Sequence, residues 1–509
     1  MNKMARLTGT LLVLTALTSA CPAEERDREQ SSKQQQLPPL RERTSRTEHS
    51  VKISGQKIEY AAAAGTFILT DEKKDQKASV FYISYRRKDA EDPGSRPVTF
   101  SFNGGPGSSS VWLHLGLLGP RRVLLEENGT ATPPPYELTG NSYSLLDVTD
   151  LVFIDPVTTG FSRAAPGEEP EQFHGVDQDI KWVGEFIRLY LSRTGRWSSP
   201  KFLIGESYGT TRAAGLSEHL QERRGIFFNG IMLISSVLNF QTTDFAPGND
   251  LPYALFLPSY TATAWYHGML GDQYRDDLNR ALSDAEEFAL NEYNNVLMLG
   301  GRVNSERYRD AAERLSELTG LTSSYIIQTD LRINIRRFTK ELLRGRRLTV
   351  GRLDSRFTGR DIDAAGEKPE YDPSYSNIYG PFSAAMKDYV RRELGFDCDL
   401  PYEILTGRVH PWDFGRYRNR YVDVAESLRS AMNRNHSLGV YIACGYYDLA
   451  TPYLAAEYTV DHMGLEGGLR DNIKISHFRA GHMMYIHHSS LERLSSELRQ
   501  FISDYDGLN

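Results

Sequence analysis

The sequence predicts an α/β fold with a mostly parallel sheet, interrupted in the middle of the chain by a large helical insertion. Three observations carry this expectation. Apolar runs too short for helices, such as Leu151-Val152-Phe153-Ile154 and Phe202-Leu203-Ile204, are continuous rather than alternating, as in strands buried on both faces. Helical periodicities stand between such runs, the pattern of strand–helix–strand units. The alternation stops near Leu238 and resumes only at Gly439.

The chain opens with Lys3 and Arg6, an apolar run from Leu7 to Leu17, and Thr18-Ser19-Ala20-Cys21. A charged start, a short greasy centre and small residues before a cut point predict a signal peptide over residues 1–20. The run is too short to span a bilayer, which needs about 20 apolar residues. Cys21 follows small residues as in a bacterial lipoprotein box, so acylation at Cys21 and plain cleavage both stay open. Either way the protein is expected to be exported, to the periplasm or cell envelope. Residues 21–50, with Gln34-Gln35-Gln36 and Pro38-Pro39, are too polar to build a core and read as a disordered tether.

A first part of the core is expected over 51–238. Val80–Tyr85, Pro97–Phe102 and Leu151–Ile154 read as strands. A helix follows with Ile180, Val183, Ile187 and Leu191 at steps of three and four, stopping near Gly195. Phe202–Ile204 is the next strand, Thr210–Arg224 a helix ended by Gly225, and Ile231–Leu238 another strand. Residues 239–438 change to amphipathic stretches such as Ala281–Met298, with Arg- and Tyr-rich loops, and are expected to form a helical cap. Residues 439–509 return to the core with strands at Gly439–Ala443 and Ile473–Phe478.

Composition excludes several classes. Of 509 residues, 40% are apolar and 25% charged, which suffices for a sizeable core. Lys and Arg total 59 against 66 Asp and Glu, a net charge of −7, so nothing calls for a nucleic-acid partner. Three cysteines allow one bridge at most, and spacing does not show whether Cys398 and Cys444 pair. With no HExxH, CxxC pair or Walker-type loop, neither a metal nor another cofactor is indicated.

The chemistry begins at Gly205-Glu206-Ser207-Tyr208-Gly209, a G-x-S-x-G set directly between a strand and a helix. Such a turn needs small residues on both sides and lifts the serine above the sheet edge. A serine is a poor nucleophile without a base, and the base needs an orienter. Chain order in this arrangement is Ser, Asp/Glu, His. Asp448 stands just past the strand ending near Ala443, and His482 follows the strand ending at Phe478, so Ser207, His482 and Asp448 are the candidate triad. Upstream, Asn103-Gly104-Gly105-Pro106-Gly107-Ser108-Ser109-Ser110 follows the strand ending at Phe102. An amide of this loop and the amide after the nucleophile would form an oxyanion hole.

Together with Leu151–Pro156 and Gly160-Phe161-Ser162, these motifs resemble the serine carboxypeptidase family, from about residue 50 to the C-terminus. Beside the lipoprotein-like box, the resemblance is to a bacterial-type member. It implies an α/β-hydrolase core with a helical cap. It also implies oxyanion donors at the Gly105 and Tyr208 amides, and a site for the substrate's terminal carboxylate at Asn103, Gly104 and Glu206. Two positions depart. Ser108 stands where the family commonly has a bridged cysteine, and Leu117 where it often has a second glutamate.

The expected function is a secreted serine-type carboxypeptidase acting on peptides through an acyl-enzyme. An esterase or acyltransferase on the same triad is the alternative, and a non-catalytic binding lipoprotein a further one. Side-chain preference and oligomeric state are not legible. One stretch of the insertion crowds Arg332, Arg336, Arg337, Lys340, Arg344, Arg346, Arg347, Arg352 and Arg356 around few acids. It is expected either to be a solvated, salt-bridged face or to lend the cleft positive charge.

Overall fold

The continuous apolar runs become strands because each sends alternate side chains into two separate cores. In the computed structural model, which describes residues 40–507 apart from 91 and 93, Ile231 and Leu233 enter one core while Met232 and Ile234 enter the other. Val440 and Ile442 are divided in the same way from Tyr441 and Ala443. The strands are β1 (Thr44–Ile53), β2 (Gln56–Thr70), β3 (Gln76–Arg87), β4 (Val98–Phe102), β5 (Asp150–Ile154), β6 (Lys201–Ser207), β7 (Gly230–Ser236), β8 (Gly439–Gly445) and β9 (Ile473–Phe478). They pair in the order β1-β2-β3-β5-β4-β6-β7-β8-β9. The first three pairs in that order are antiparallel; from β5 onward every pair is parallel.

Helices cover both faces. On one lie α1 (Val176–Thr194) and α2 (Tyr208–Arg224), with α3 (Leu251–Tyr266) of the insertion joined to the same core. The other core takes α4 (Pro373–Arg392) and, at the C-terminal end, α6 (His488–Tyr505). α6 buries Leu491, Leu494, Leu498 and Ile502 at helical spacing, each contributing roughly 1.5–3 kcal/mol of transfer free energy. Among the described residues, no helix is long and apolar enough to cross a membrane.

Three expectations change. The expected tether over 21–50 is a strand from Thr44, since β1 pairs with β2 along its whole length. Residues Thr44–Ser50 carry polar and charged side chains on both faces, as an edge strand can, because its stability comes from main-chain bonds. The insertion is not wholly helical: Thr349–Val350 and Thr358–Gly359 form a small antiparallel hairpin. It also ends before residue 438, because α5 (Ala425–Arg434) packs against α2 as a sheet-flanking helix. The expected signal peptide, Cys21 and the start of the tether lie outside the described residues.

Candidate active site

β6 runs into α2 through Ser207, whose φ of 60° and ψ of −129° are costly for a residue with a side chain, roughly 1–3 kcal/mol. The surrounding packing enforces this turn. A Cβ on Gly205 would come within 2.2 Å of the Gly209 carbonyl oxygen, and one on Gly209 within 2.8 Å of the Phe102 oxygen. Only glycines let the elbow close. The hydroxyl therefore stands at the sheet edge, at the N-terminal, positive end of a 17-residue helix.

His482 and Ser207 line one cavity of about 340 Å³. Behind the imidazole, Nδ1 lies 2.7 Å from Asp448 Oδ2. That contact fixes Nδ1 as the donor and leaves Nε2 as the nitrogen able to accept a proton. Asp448 is itself held: the amides of Ala450 and Thr451 donate to Oδ1 at 2.7 and 3.0 Å, and Thr451 Oγ1 donates to Oδ2 at 2.7 Å. Burial favours the neutral imidazole, but the Asp448 carboxylate outweighs it and holds the His482 pKa above the ordinary histidine value. Glu206 acts in the same direction and Arg352 opposes it.

The hairpin of the insertion straps this pair. His482 N donates to the Leu353 carbonyl at 2.6 Å, Leu449 N to the Arg352 carbonyl at 3.1 Å, and Gly481 N to Asp354 Oδ2 at 3.2 Å. Nothing in the sequence of residues 351–356 announced this role. Thr451 was also missed, although its place three residues after Asp448 is a recognisable turn position.

The glycine loop meets the elbow directly. A Cβ on Gly104 would lie 2.4 Å from Tyr208 N, and Gly105, at φ 102°, lines the cavity. The two candidate amide donors are thus on neighbouring backbone. The buried Arg212 of α2 holds the loop from behind, donating to the Asn103 carbonyl at 2.6 Å and to Asp179 Oδ2 at 2.7 Å. Ser108 ties the loop to the insertion. Its hydroxyl donates to the Ile404 carbonyl at 3.2 Å and accepts from Trp112 Nε1 at 2.9 Å, and its backbone bridges to Leu405. Hydrogen bonds stand where the family commonly has a disulfide, and Cys398 and Cys444 are both free thiols.

Glu206 is buried at the cavity floor. Asn103 Nδ2 donates to Oε1 at 3.0 Å, and Tyr485 Oη donates to Oε2. Burial pushes its carboxyl up to about 7, against His482 and these two hydrogen bonds, which favour the charged form. Below about pH 7 it is therefore a neutral acid with a proton to donate. Leu117 is fully buried in the helical turn His114–Leu118. Tyr485 lies over the neighbouring Gly116, where an added Cβ would meet its ring at 2.4 Å. The second polar partner of Glu206 is therefore a phenol from the His482 loop, which no sequence motif singled out.

Of the basic stretch, Arg332 pairs with Asp250, Arg337 with Glu367, Lys340 with Asp361, Arg344 with Glu341 and Arg356 with Asp354. The salt-bridged reading describes those five. Arg352 alone of the stretch lines the cavity.

Sheet order, helical layers and the strained elbow define an α/β-hydrolase fold. Kex1(delta)p, a prohormone-processing carboxypeptidase from Saccharomyces cerevisiae, shares that fold, with a TM-score of 0.53 at 16% identity over 87% of this chain and 91% of its own. The family model for serine carboxypeptidase matches residues 59–481, and the chain belongs to that family. Serine carboxypeptidase-like 33 of Arabidopsis thaliana is 30% identical over 193 residues, 37% of this chain and 37% of its own length. Serine carboxypeptidase-like 46 of the same plant is 28% identical over 245 residues, 45% of this chain and 44% of its own. The chain spans less than half the length of these curated relatives in the matched stretches.

Proposed function

We propose that this protein is an exported serine-type carboxypeptidase that removes C-terminal residues from peptides through an acyl-enzyme. Ser207 is the nucleophile, His482 the base and Asp448 its orienter. His482 Nε2 takes the Ser207 proton as Oγ attacks the last peptide carbonyl, and the amides of Gly105 and Tyr208 receive the oxyanion. The protonated imidazole then gives its proton to the departing amine, and the acyl-enzyme remains. Water, deprotonated by the same nitrogen, releases the shortened peptide and restores Ser207.

One observation favours a carboxypeptidase over a general hydrolase. Glu206, adjacent to the nucleophile, is a buried acid whose pKa burial raises to about 7, so it is largely neutral in mildly acidic solution, and it lines the cavity. A neutral carboxyl donates a hydrogen bond to a carboxylate, and an ester or amide end offers it no charge to bind. Asn103 and Gly104 complete the terminal-carboxylate site. The departure at Leu117 favours the second reading, an esterase or acyltransferase, because the clamp has one carboxyl rather than two. The charged and apolar opening of the chain supports export, with Cys21 as the candidate lipid anchor.

A fluorophosphonate separates enzyme from binder: covalent labelling that vanishes in Ser207→Ala supports a hydrolase, and an unlabelled native protein refutes it. Rates on one peptide with a free C-terminus, its amide and a simple ester then separate the enzymes. Equal kcat/KM on peptide and amide would remove the carboxypeptidase reading.

A further inference from the structure

The cavity beside Ser207 has an asymmetric charge. Its ionisable side chains are Glu206, Arg352, Tyr375, His410 and His482; the phenol of Tyr375 is neutral at physiological pH, and burial raises the Glu206 pKa to about 7. No permanent negative charge lines it, and Arg352 is its one permanent positive charge. The backbone of Arg352 is pinned on both sides: its amide donates to Asp372 Oδ1 at 3.1 Å and its carbonyl accepts from Leu449 N at 3.1 Å. Among the described residues no carboxylate forms an ion pair with its guanidinium. Five neighbouring cations of the same stretch are paired with acids. An exposed arginine held at its backbone, lining the cavity with a charge that reaches His482 and left without a carboxylate, is arranged to receive one from a ligand.

The position of Arg352 selects which part of the ligand. Arg352 precedes Leu353, whose carbonyl holds the His482 amide. Leu405 and Thr406, which also line the cavity, approach the glycine loop at Gly105 and Gly107. His482 is the group that hands a proton to the departing amine, so the departing residue lies on the His482 side. The terminal carboxylate of that residue is taken by Glu206, which leaves the guanidinium for the side chain.

Building on the carboxypeptidase reading above, we infer that Arg352 makes this a peptidase for acidic C-terminal residues, pairing with the carboxylate side chain of the residue that leaves. Lysine or arginine in the same place meets like charge. A charge-assisted pair in a partly shielded cleft is worth roughly tenfold or more in discrimination.

The test uses acetylated peptides identical except for a last residue of Glu, Gln or Lys, with release of that residue measured for the full chain, Arg352→Gln and Arg352→Glu. We expect the native protein to favour Glu over Lys by about tenfold or more in kcat/KM. Arg352→Gln should level the ratio and Arg352→Glu should invert it; each ratio is read within one protein, so a change common to all peptides, such as the altered charge acting on His482, cancels. Fluorophosphonate labelling of Ser207 in both variants shows that they are folded. A Glu-to-Lys ratio that is the same in all three proteins overturns the inference, as does an equal loss on every peptide, which would put Arg352 on the terminal carboxylate. A second series varied at the penultimate residue overturns the assignment if the charge preference appears there instead. If native protein whose Ser207 is reactive to the fluorophosphonate, assayed without the label, releases no residue from any peptide but cleaves esters, the carboxypeptidase reading itself falls and this inference with it.

Discussion

Replacing Glu206 by glutamine tests the carboxylate site where its electrostatics are sharpest. The acid has a pKa of about 7 in the folded chain because it is buried, against 4.5 when exposed. A peptide carboxylate binds the neutral form and is repelled by the ionised one, so affinity is constant below about pH 7 and weakens above it. Each pH unit beyond the pKa then costs about tenfold in Kd, or roughly 1.4 kcal/mol. The cleanest assay is calorimetric binding of an acetylated peptide to the Ser207→Ala protein between pH 5.5 and 9, which removes turnover. Near pH 9 the Kd should be about a hundredfold weaker than at pH 6, while the amidated peptide shows no such limb. Glu206→Gln keeps a neutral donor at every pH and should flatten the profile. An identical alkaline limb in Glu206→Gln would show that the carboxyl does not touch the peptide carboxylate. The same raised pKa has a stability consequence of defined sign. Between pH 4.5 and about 7 the unfolded chain releases this proton while the folded one keeps it, so stability falls across that window by about 3 kcal/mol. Glu206→Gln should abolish that portion of the loss in denaturant titrations at several pH values.

Three other outcomes follow from the same geometry. Ser207→Ala, His482→Ala and Asp448→Ala should each lower kcat by about 10⁴-fold or more, with double variants little worse than singles; near-native turnover in Ser207→Ala would remove the assignment. Tyr485→Phe deletes a hydrogen bond that favours ionised Glu206, so the alkaline limb of peptide binding should move to higher pH; a shift downward would contradict the assigned contact. Charge reversal at Arg332, Arg337 or Arg344, each already paired with an acid, should leave the salt dependence of kcat/KM unchanged. A flattened salt profile in those variants would mean that paired cations still steer the substrate.

The sequence by itself determined the strands of the sheet from β3 onward, the elbow and the identities of the candidate triad. Buried parallel strands are continuous apolar runs, and the turn at Ser207 demands small flanking residues, so both leave local marks that survive without coordinates. β1 left no such mark. Its first residues are held by main-chain bonds to β2 and have no face that must be apolar. What only the tertiary structure decided are relations between residues far apart in the chain. The phenol of Tyr485 meets Glu206 across 279 positions, and the hairpin at 351–357 straps the loops of Asp448 and His482. The basic stretch shows the limit most plainly. Its composition is uniform, but the fold pairs five of its nine cations with acids and places one arginine, Arg352, in the cavity lining. Charge is written in the sequence, whereas the partner and the solvent exposure that set its consequence are properties of packing.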